Sequence, residues 1–251
     1  MGFDDKFSEL QAATQRQSDE ASRRLDAQAA LVDRHGAAVV VEIRSSLRSA
    51  VQHLMKAGVK PVPVVSYNPT PFFYAGIQAD AYRRSRVVAH AWAKFDGLCL
   101  TDSGVLFQSE PDSPSNMRLT SGRGERLTKE GQRHQKQRDR MLRRLHLSDQ
   151  YPLYIHEHHL GLIDEPLAFN DLIGIPDGDW HDNCLLGVSP DTLAKRLAPN
   201  GLGRSGFGVL PDGRPAFVRV DKIYDEGPYI AAVPFDSWLA GIVHKLVQRA
   251  G

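Results

Sequence analysis

Residues 87–108 read VVAHAWAKFDGLCLTDSGVLFQ, and this stretch decides the fold class. Up to Phe95, apolar side chains alternate with their neighbours at the two-residue period of a β-strand. Asp96-Gly97 is a two-residue hairpin signal, and Asp102-Ser103-Gly104 marks a second turn. The stretch therefore predicts a meander of three antiparallel strands at residues 86–95, 98–101 and 105–108.

A second meander is predicted at residues 207–233, where turn-forming residues at 211–214 and 225–228 separate apolar strands. Single strands are predicted at residues 62–67 and 152–159, because both are short apolar runs bounded by turn signals. Together these elements predict an α+β fold. Its core is an antiparallel β-sheet, built from the two three-strand meanders and flanked by helices.

Both ends of the chain are predicted to be helical. Residues 3–34 form a polar helix with a thin apolar stripe, and residues 37–57 form a stronger amphipathic helix. Gly36 is expected to separate or kink the two, so this long N-terminal segment is either an arm or a helical hairpin. Asp236 is expected to cap an amphipathic C-terminal helix.

Two parts of the chain follow from this pattern. A helical segment at residues 1–58 is expected to end at Gly58, since Pro61 follows closely. An α+β domain occupies residues 59–251. This domain carries a basic and partly flexible insertion at about residues 109–146. Glycine and proline make residues 109–126 loop-like, and Thr128 is expected to cap a helix that runs to about Leu145.

The composition excludes several classes of protein. The chain has 251 residues and a formal net charge of +1, so no overall field draws it to nucleic acid or acidic membranes. No segment approaches the roughly 20 apolar residues of a membrane span, and the acidic N-terminus is unlike a secretory signal. The two cysteines, Cys99 and Cys184, are fewer than a disulfide-stabilised secreted protein usually carries. We therefore expect a cytoplasmic protein without a membrane partner.

A histidine cluster lies in residues 154–159, which read YIHEHH. On a strand, His156 and His158 point to the same face, and two imidazoles at that spacing can bind one divalent transition metal. His181, Asp182 or Cys184 could supply a third ligand, whereas His159 would point to the opposite face. The hypothesis is a metal-dependent hydrolase. The alternative is that these histidines bond to backbone or water.

A basic segment at residues 123–144 has nine cationic and three acidic side chains, so its local charge is nine minus three, or +6. It suggests a salt-sensitive interaction with a polyanion or nucleic acid. The alternative is an ordinary solvated helix, because no Phe, Trp or Tyr lies between Phe107 and Tyr151 to stack on bases. The glycine-rich run 201–206 follows a predicted helix and precedes a strand, which is the wrong order for a dinucleotide site. The candidate anion-binding residues are Arg133, Lys136, Arg140, Arg143, Arg144 and Arg204.

The polar N-terminal helix supplies a third hypothesis. Phe3, Phe7 and Leu10 form a short apolar stripe that is too thin for a full core face but sufficient for a partner helix. The chain also lacks a nucleophile motif such as GxSxG. By elimination, the sequence favours a non-catalytic binding or assembly module that acts through protein–protein contacts or self-association.

Overall fold

The computed structural model divides the chain into two compact units. The first unit comprises Met1–Leu47 and Leu167–Gly241, and the second comprises Arg48–Pro166 and Ile242–Gly251. The structure describes residues 3–68, 73–74, 77–78, 82–95, 98–109, 129–164, 167–168, 171–175, 205–223 and 227–250.

A single helix, α1, spans Phe3–Lys56. The expected separation at Gly36 is wrong, because the helix continues through it. One interior glycine costs a helix only about 1 kcal/mol, and the buried Val39 and Ile43 that follow favour the helical conformation. The predicted end of this helix at Gly58 is confirmed, since Gly58 adopts a left-handed φ of 72° and its N–H donates a hydrogen bond to the carbonyl oxygen of Met55.

The second unit contains a five-stranded sheet. The first predicted meander is confirmed within it, and the strand beside this meander pairs antiparallel on one side and parallel on the other. The expectation of a purely antiparallel sheet is therefore wrong. The strands are β1 (Val62–Tyr67), β4 (Val87–Phe95), β5 (Leu98–Thr101), β6 (Leu106–Gln108) and β7 (Leu153–His156), in the order β6-β5-β4-β1-β7, and β2 (Phe73–Tyr74) pairs with β3 (Ile77–Gln78).

The parallel pairing follows from the connection between β6 and β7. That connection contains α2 (Lys129–Arg144), and a helical crossover allows a strand to enter parallel to its neighbour. A short helix, α3 (Gly161–Asp164), follows β7. The predicted helix within the basic segment is thus present.

The two faces of this sheet have separate apolar cores. One core joins Val65 and Tyr67 of β1 to Tyr154 of β7, and Met141 of α2 packs on them. The other core contains Val64 and Ile155, together with residues of β4 to β6 and α3. Because side chains alternate along β1 and β7, every second residue faces α2.

The first unit contains a four-stranded sheet with β8 (Leu172–Gly174), β9 (Ser205–Val209), β10 (Pro215–Ile223) and β11 (Gly227–Pro234), in the order β11-β10-β9-β8. The second predicted meander, β9 to β11, is confirmed as antiparallel. The expectation of a purely antiparallel sheet is wrong for this sheet as well, because β8 lies parallel to β9. The three residues of β8 are too few to give a periodic signal.

The C-terminal helix, α4, spans Phe235–Ala250, and Asp236 lies in its first turn. Ser46 of α1 donates a 3.0 Å hydrogen bond to the Asp236 carboxylate. Burial raises the pKa of Glu42, and the charge of Asp236 raises it further. No helix among the described residues is both long enough and apolar enough to cross a membrane.

Candidate metal centre

The candidate centre begins where two parallel strands end at the same edge of the second unit's sheet. Tyr67 is the last residue of β1 and His156 is the last residue of β7, and the two are register partners. Their side chains form a 2.7 Å hydrogen bond between Tyr67 Oη and His156 Nε2. The Tyr67 side chain, 1% exposed, therefore holds the His156 ring from the protein interior.

The strand predicted at residues 152–159 stops at His156, which corrects the placement of His159. Among the described residues β1 ends at Tyr67, the register partner of His156, so the pairing of β1 with β7 ends there. Residues 157–159 instead form one 3₁₀ turn, and the N–H of Leu160 donates to the Glu157 carbonyl. A turn, unlike a strand, brings His158 and His159 to the same side as His156.

Three imidazoles consequently meet. One potential ligand atom from each of His156, His158 and His159 lies within 4.8 Å of the other two. The ring centroids of His158 and His159 are 4.1 Å apart, and those of His156 and His159 are 5.6 Å apart. Among the described residues, this is the group with ligand atoms close enough to hold a metal ion.

The spacing of these nitrogens is close to that of a zinc site. A tetrahedral zinc ion with Zn–N bonds of about 2.0–2.1 Å needs ligand nitrogens about 3.3 Å apart. His158 is exposed and the other two rings are half-buried. The exposed His158 ring can change its rotamer without moving the strand.

Aromatic residues pack against the candidate metal centre from the side of the protein interior. The Tyr67 ring stacks on Tyr82 at 5.6 Å and meets Tyr154 edge-on at 5.9 Å. Tyr82 Oη forms a 2.7 Å hydrogen bond with Nε2 of the buried His134 on α2. The path from His156 to α2 is thus a chain of ring contacts and two Tyr–His hydrogen bonds.

The chain matches no protein-family model, no curated protein and no solved structure. The chemistry of the centre must therefore be argued from its own residues.

The other candidate residues belong to other elements or lie outside the described residues. Arg133, Lys136, Arg140 and Arg143 lie on α2 and are exposed. Arg144 donates hydrogen bonds to the carbonyls of Tyr82, Arg83 and Ser85, which fixes the end of α2 to that turn. His181 and Arg204 lie outside the described residues.

The N-terminal apolar residues lie in the first turns of α1. Phe7 is 51% exposed and Leu10 is 67% exposed, while Phe3 begins the helix. Phe7 and Leu10 of the predicted apolar stripe are therefore exposed.

Cys99 lies in β5 and is buried, as the apolar strand pattern predicts. Burial raises the pKa of its thiol to about 11, against a smaller lowering by a backbone hydrogen bond from Ser109. The thiolate that binds metals is thus strongly disfavoured at neutral pH. Cys99 is a core residue rather than a candidate ligand.

Sequence reasoning missed His159, Tyr67 and His134 as parts of this centre. The signal for His159 was the end of the neighbouring strand at Asn68-Pro69, which limits how far β7 can pair. The pairing of β1 with β7 joins residues far apart in sequence, so no local pattern identifies Tyr67 or His134.

Proposed function

We propose that the protein binds a divalent transition metal through His156, His158 and His159 and uses it in a hydrolytic reaction. The convergence of three imidazole ligand atoms within 4.8 Å carries the proposal. Three protein ligands that leave a coordination position to solvent are the pattern of catalytic zinc sites, whereas structural sites use four. The exposure of His158 is consistent with access for water and substrate.

Each protein group has a definite task in this proposal. Imidazole ligands suit zinc, iron, nickel and copper, and a three-histidine set favours zinc. When Nδ1 of His156 binds the ion, its Nε2–H donates to the oxygen of Tyr67. This hydrogen bond fixes the ring orientation and raises the basicity of the ligand. The metal supplies activation of water for attack on an ester or amide.

Metal content tests the proposal directly. Protein purified without a metal-affinity column and then supplied with zinc is expected to retain about one ion per chain after dialysis. His158→Ala should lose the ion, because only two imidazoles remain. His53→Ala is the matched control, since His53 is an exposed histidine at the end of α1. A chain that retains no zinc, iron, nickel or copper would exclude the centre.

Activity is the second part of that test. Zinc-loaded protein is assayed with bis(p-nitrophenyl) phosphate and with p-nitrophenyl acetate, and turnover should be abolished by His158→Ala but not by His53→Ala. Equal turnover in both variants would contradict a catalytic role for the centre, even if the metal binds.

A second candidate function is assembly through α1, and the exposure of its apolar residues favours it. Phe7, Leu10 and Leu25 are 51%, 67% and 39% exposed, and a partner that covers the exposed part of such residues stabilises the helix. The occupant we propose is a second copy of α1.

Sedimentation or light scattering checks the assembly proposal. The double variant Phe7→Ser/Leu10→Ser is expected to lower the molar mass from an oligomer to the 27.9 kDa monomer. Met55→Ser, which alters an equally exposed apolar residue near the end of α1, should leave the mass unchanged. A wild-type protein that is already monomeric at high concentration would rule out self-association through this helix.

A further inference from the structure

The solvent face of α2 carries a continuous row of cations. Positions three or four apart lie on one side of a helix, and five exposed basic residues of α2 recur at this spacing. The row extends about 21 Å along the helix axis. Its members are Lys129, Arg133, Lys136, Arg140 and Arg143, called the basic row below.

The opposite side of α2 is fixed to the second unit. His134 and Met141 are buried there, and His134 is hydrogen-bonded to Tyr82. Hydrogen bonds from Arg144 to the carbonyl oxygens of Tyr82, Arg83 and Ser85 fix the last turn of α2. The basic row is therefore a rigid surface with a defined direction rather than a charged tail.

An ordinary solvated helix face mixes charges of both signs. The acidic residues of α2 are Glu130 and Asp139, which at 100° per residue border the basic row on its two sides, and Asp139 lies 4.0 Å from Arg138. Cations three and four residues apart repel one another and destabilise the helix. A ligand that carries regularly spaced negative charges would remove this repulsion.

We propose that the basic row binds the phosphate backbone of duplex DNA. Five cations in a row complement the negative charges of phosphates. The segment offers no aromatic side chain on which unstacked bases could stack, since no Phe, Trp or Tyr lies between Phe107 and Tyr151. The major groove of B-DNA, about 12 Å wide, accepts an α-helix, whereas that of A-form RNA is too narrow. Single strands and RNA are thus the disfavoured ligands.

The same surface suggests the substrate of the candidate metal centre, and this step rests on the proposed function. Three successive ring contacts of 5.2, 5.6 and 4.9 Å connect His134, on the side of α2 opposite the basic row, with His156 through Tyr82 and Tyr67, so α2 and the centre share one packed core. The bond to be cleaved would be a phosphodiester. The oxygen of water bonds to phosphorus, the P–O bond to one deoxyribose breaks, and the released oxygen takes up the proton that water loses.

Binding is measured first, in EDTA, so that it does not depend on a metal. Fluorescence anisotropy of a labelled DNA duplex is followed from about 50 to about 200 mM salt, and the slope of log K against log salt should be about −4 to −5 for five phosphate contacts. The variant Arg133→Gln/Lys136→Gln/Arg140→Gln should reduce the magnitude of the slope by about 3.

The charge-matched control removes three exposed arginines from α1, as Arg16→Gln/Arg23→Gln/Arg34→Gln, and should bind like the wild type. If both triple variants lost DNA affinity equally, net charge alone would explain the loss. That result would overturn the assignment of DNA binding to α2. Absence of binding at low salt, or tighter binding of single-stranded DNA or duplex RNA, would also overturn it.

A second readout does not need DNA. Because the row is self-repelling, the α2 triple variant should have a higher thermal midpoint than the wild type at low salt, and the difference should vanish near 1 M salt. A lower midpoint at low salt would show that these residues stabilise the free protein, contrary to the proposal.

Cleavage of duplex DNA by zinc-loaded protein separates the two proposals. If DNA binds in EDTA but is not cleaved with zinc, the basic row is retained as a binding surface and the substrate assignment is wrong. If zinc binds and simple esters are hydrolysed but DNA does not bind, the basic-row proposal alone fails. The expected result is cleavage that His158→Ala abolishes with no change in the salt slope of binding.

Discussion

Replacing Gly174 with alanine is expected to destabilise the first unit by about 3 kcal/mol or more. Gly174 ends β8, and a Cβ built on it would overlap the carbonyl oxygen, carbonyl carbon and Cα of Gln28 in α1. These are backbone atoms within a helix, so no side-chain rotation can relieve the overlap. Either β8 or α1 has to move.

Gly241→Ala is the matched control and should have the opposite sign. Nothing lies within 4 Å of a Cβ at Gly241, which is in the interior of α4. Alanine there should stabilise the protein by up to about 1 kcal/mol through helix propensity.

Hydrogen exchange of the amides of β9 and β10 measures the first unit separately from the second, which a single melting curve would not do. An unchanged exchange rate in Gly174→Ala would mean that α1 and β8 do not approach as closely as the structure indicates.

Replacing Tyr67 is expected to have two effects that depend on the substitution. Tyr67→Ala removes a ring that contacts Tyr82, Tyr154 and His156 in the core, and should cost the second unit about 3–5 kcal/mol. Tyr67→Phe retains the ring and loses only the hydrogen bond to His156, at a cost of about 1 kcal/mol.

The phenylalanine variant should also lower zinc affinity by about 10- to 100-fold, because the orientation of His156 would no longer be fixed. Titration against a chelator of known affinity measures this change. Tyr82→Phe is the control, since it breaks the bond to His134 in the same core without touching His156. Equal losses in the two phenylalanine variants would attribute the effect to a loosened core, and Tyr67 would then have no positioning role.

Some elements could be predicted because they rest on local signals. The alternation at residues 87–95 and the turn at residues 102–104 predicted β4 to β6, and the second meander followed from similar turns. The end of α1 was predicted from Gly58. In each case the residues that decide the conformation are near one another in the chain, so the pattern is readable without the fold.

The candidate centre was only partly predictable for the opposite reason. His156 and His158 were identified because their spacing suits a strand, yet it is a 3₁₀ turn that brings His158 to His156. The same turn adds His159, which the strand pattern had placed on the other face. The turn forms because β1 ends at Tyr67 and leaves β7 without a partner, and that limit belongs to the neighbouring strand rather than to residues 157–159.

The sequence by itself determined the α+β class, the two meanders, the terminal helices and the basic character of α2, because hydrophobic period, turn residues and charge act over a few residues. Only the tertiary structure decided the two parallel pairings, the continuity of α1, the meeting of the three histidines and the hydrogen bond from Tyr67. These features depend on which segments become neighbours, and that choice is set by burial over the whole core rather than by any local propensity.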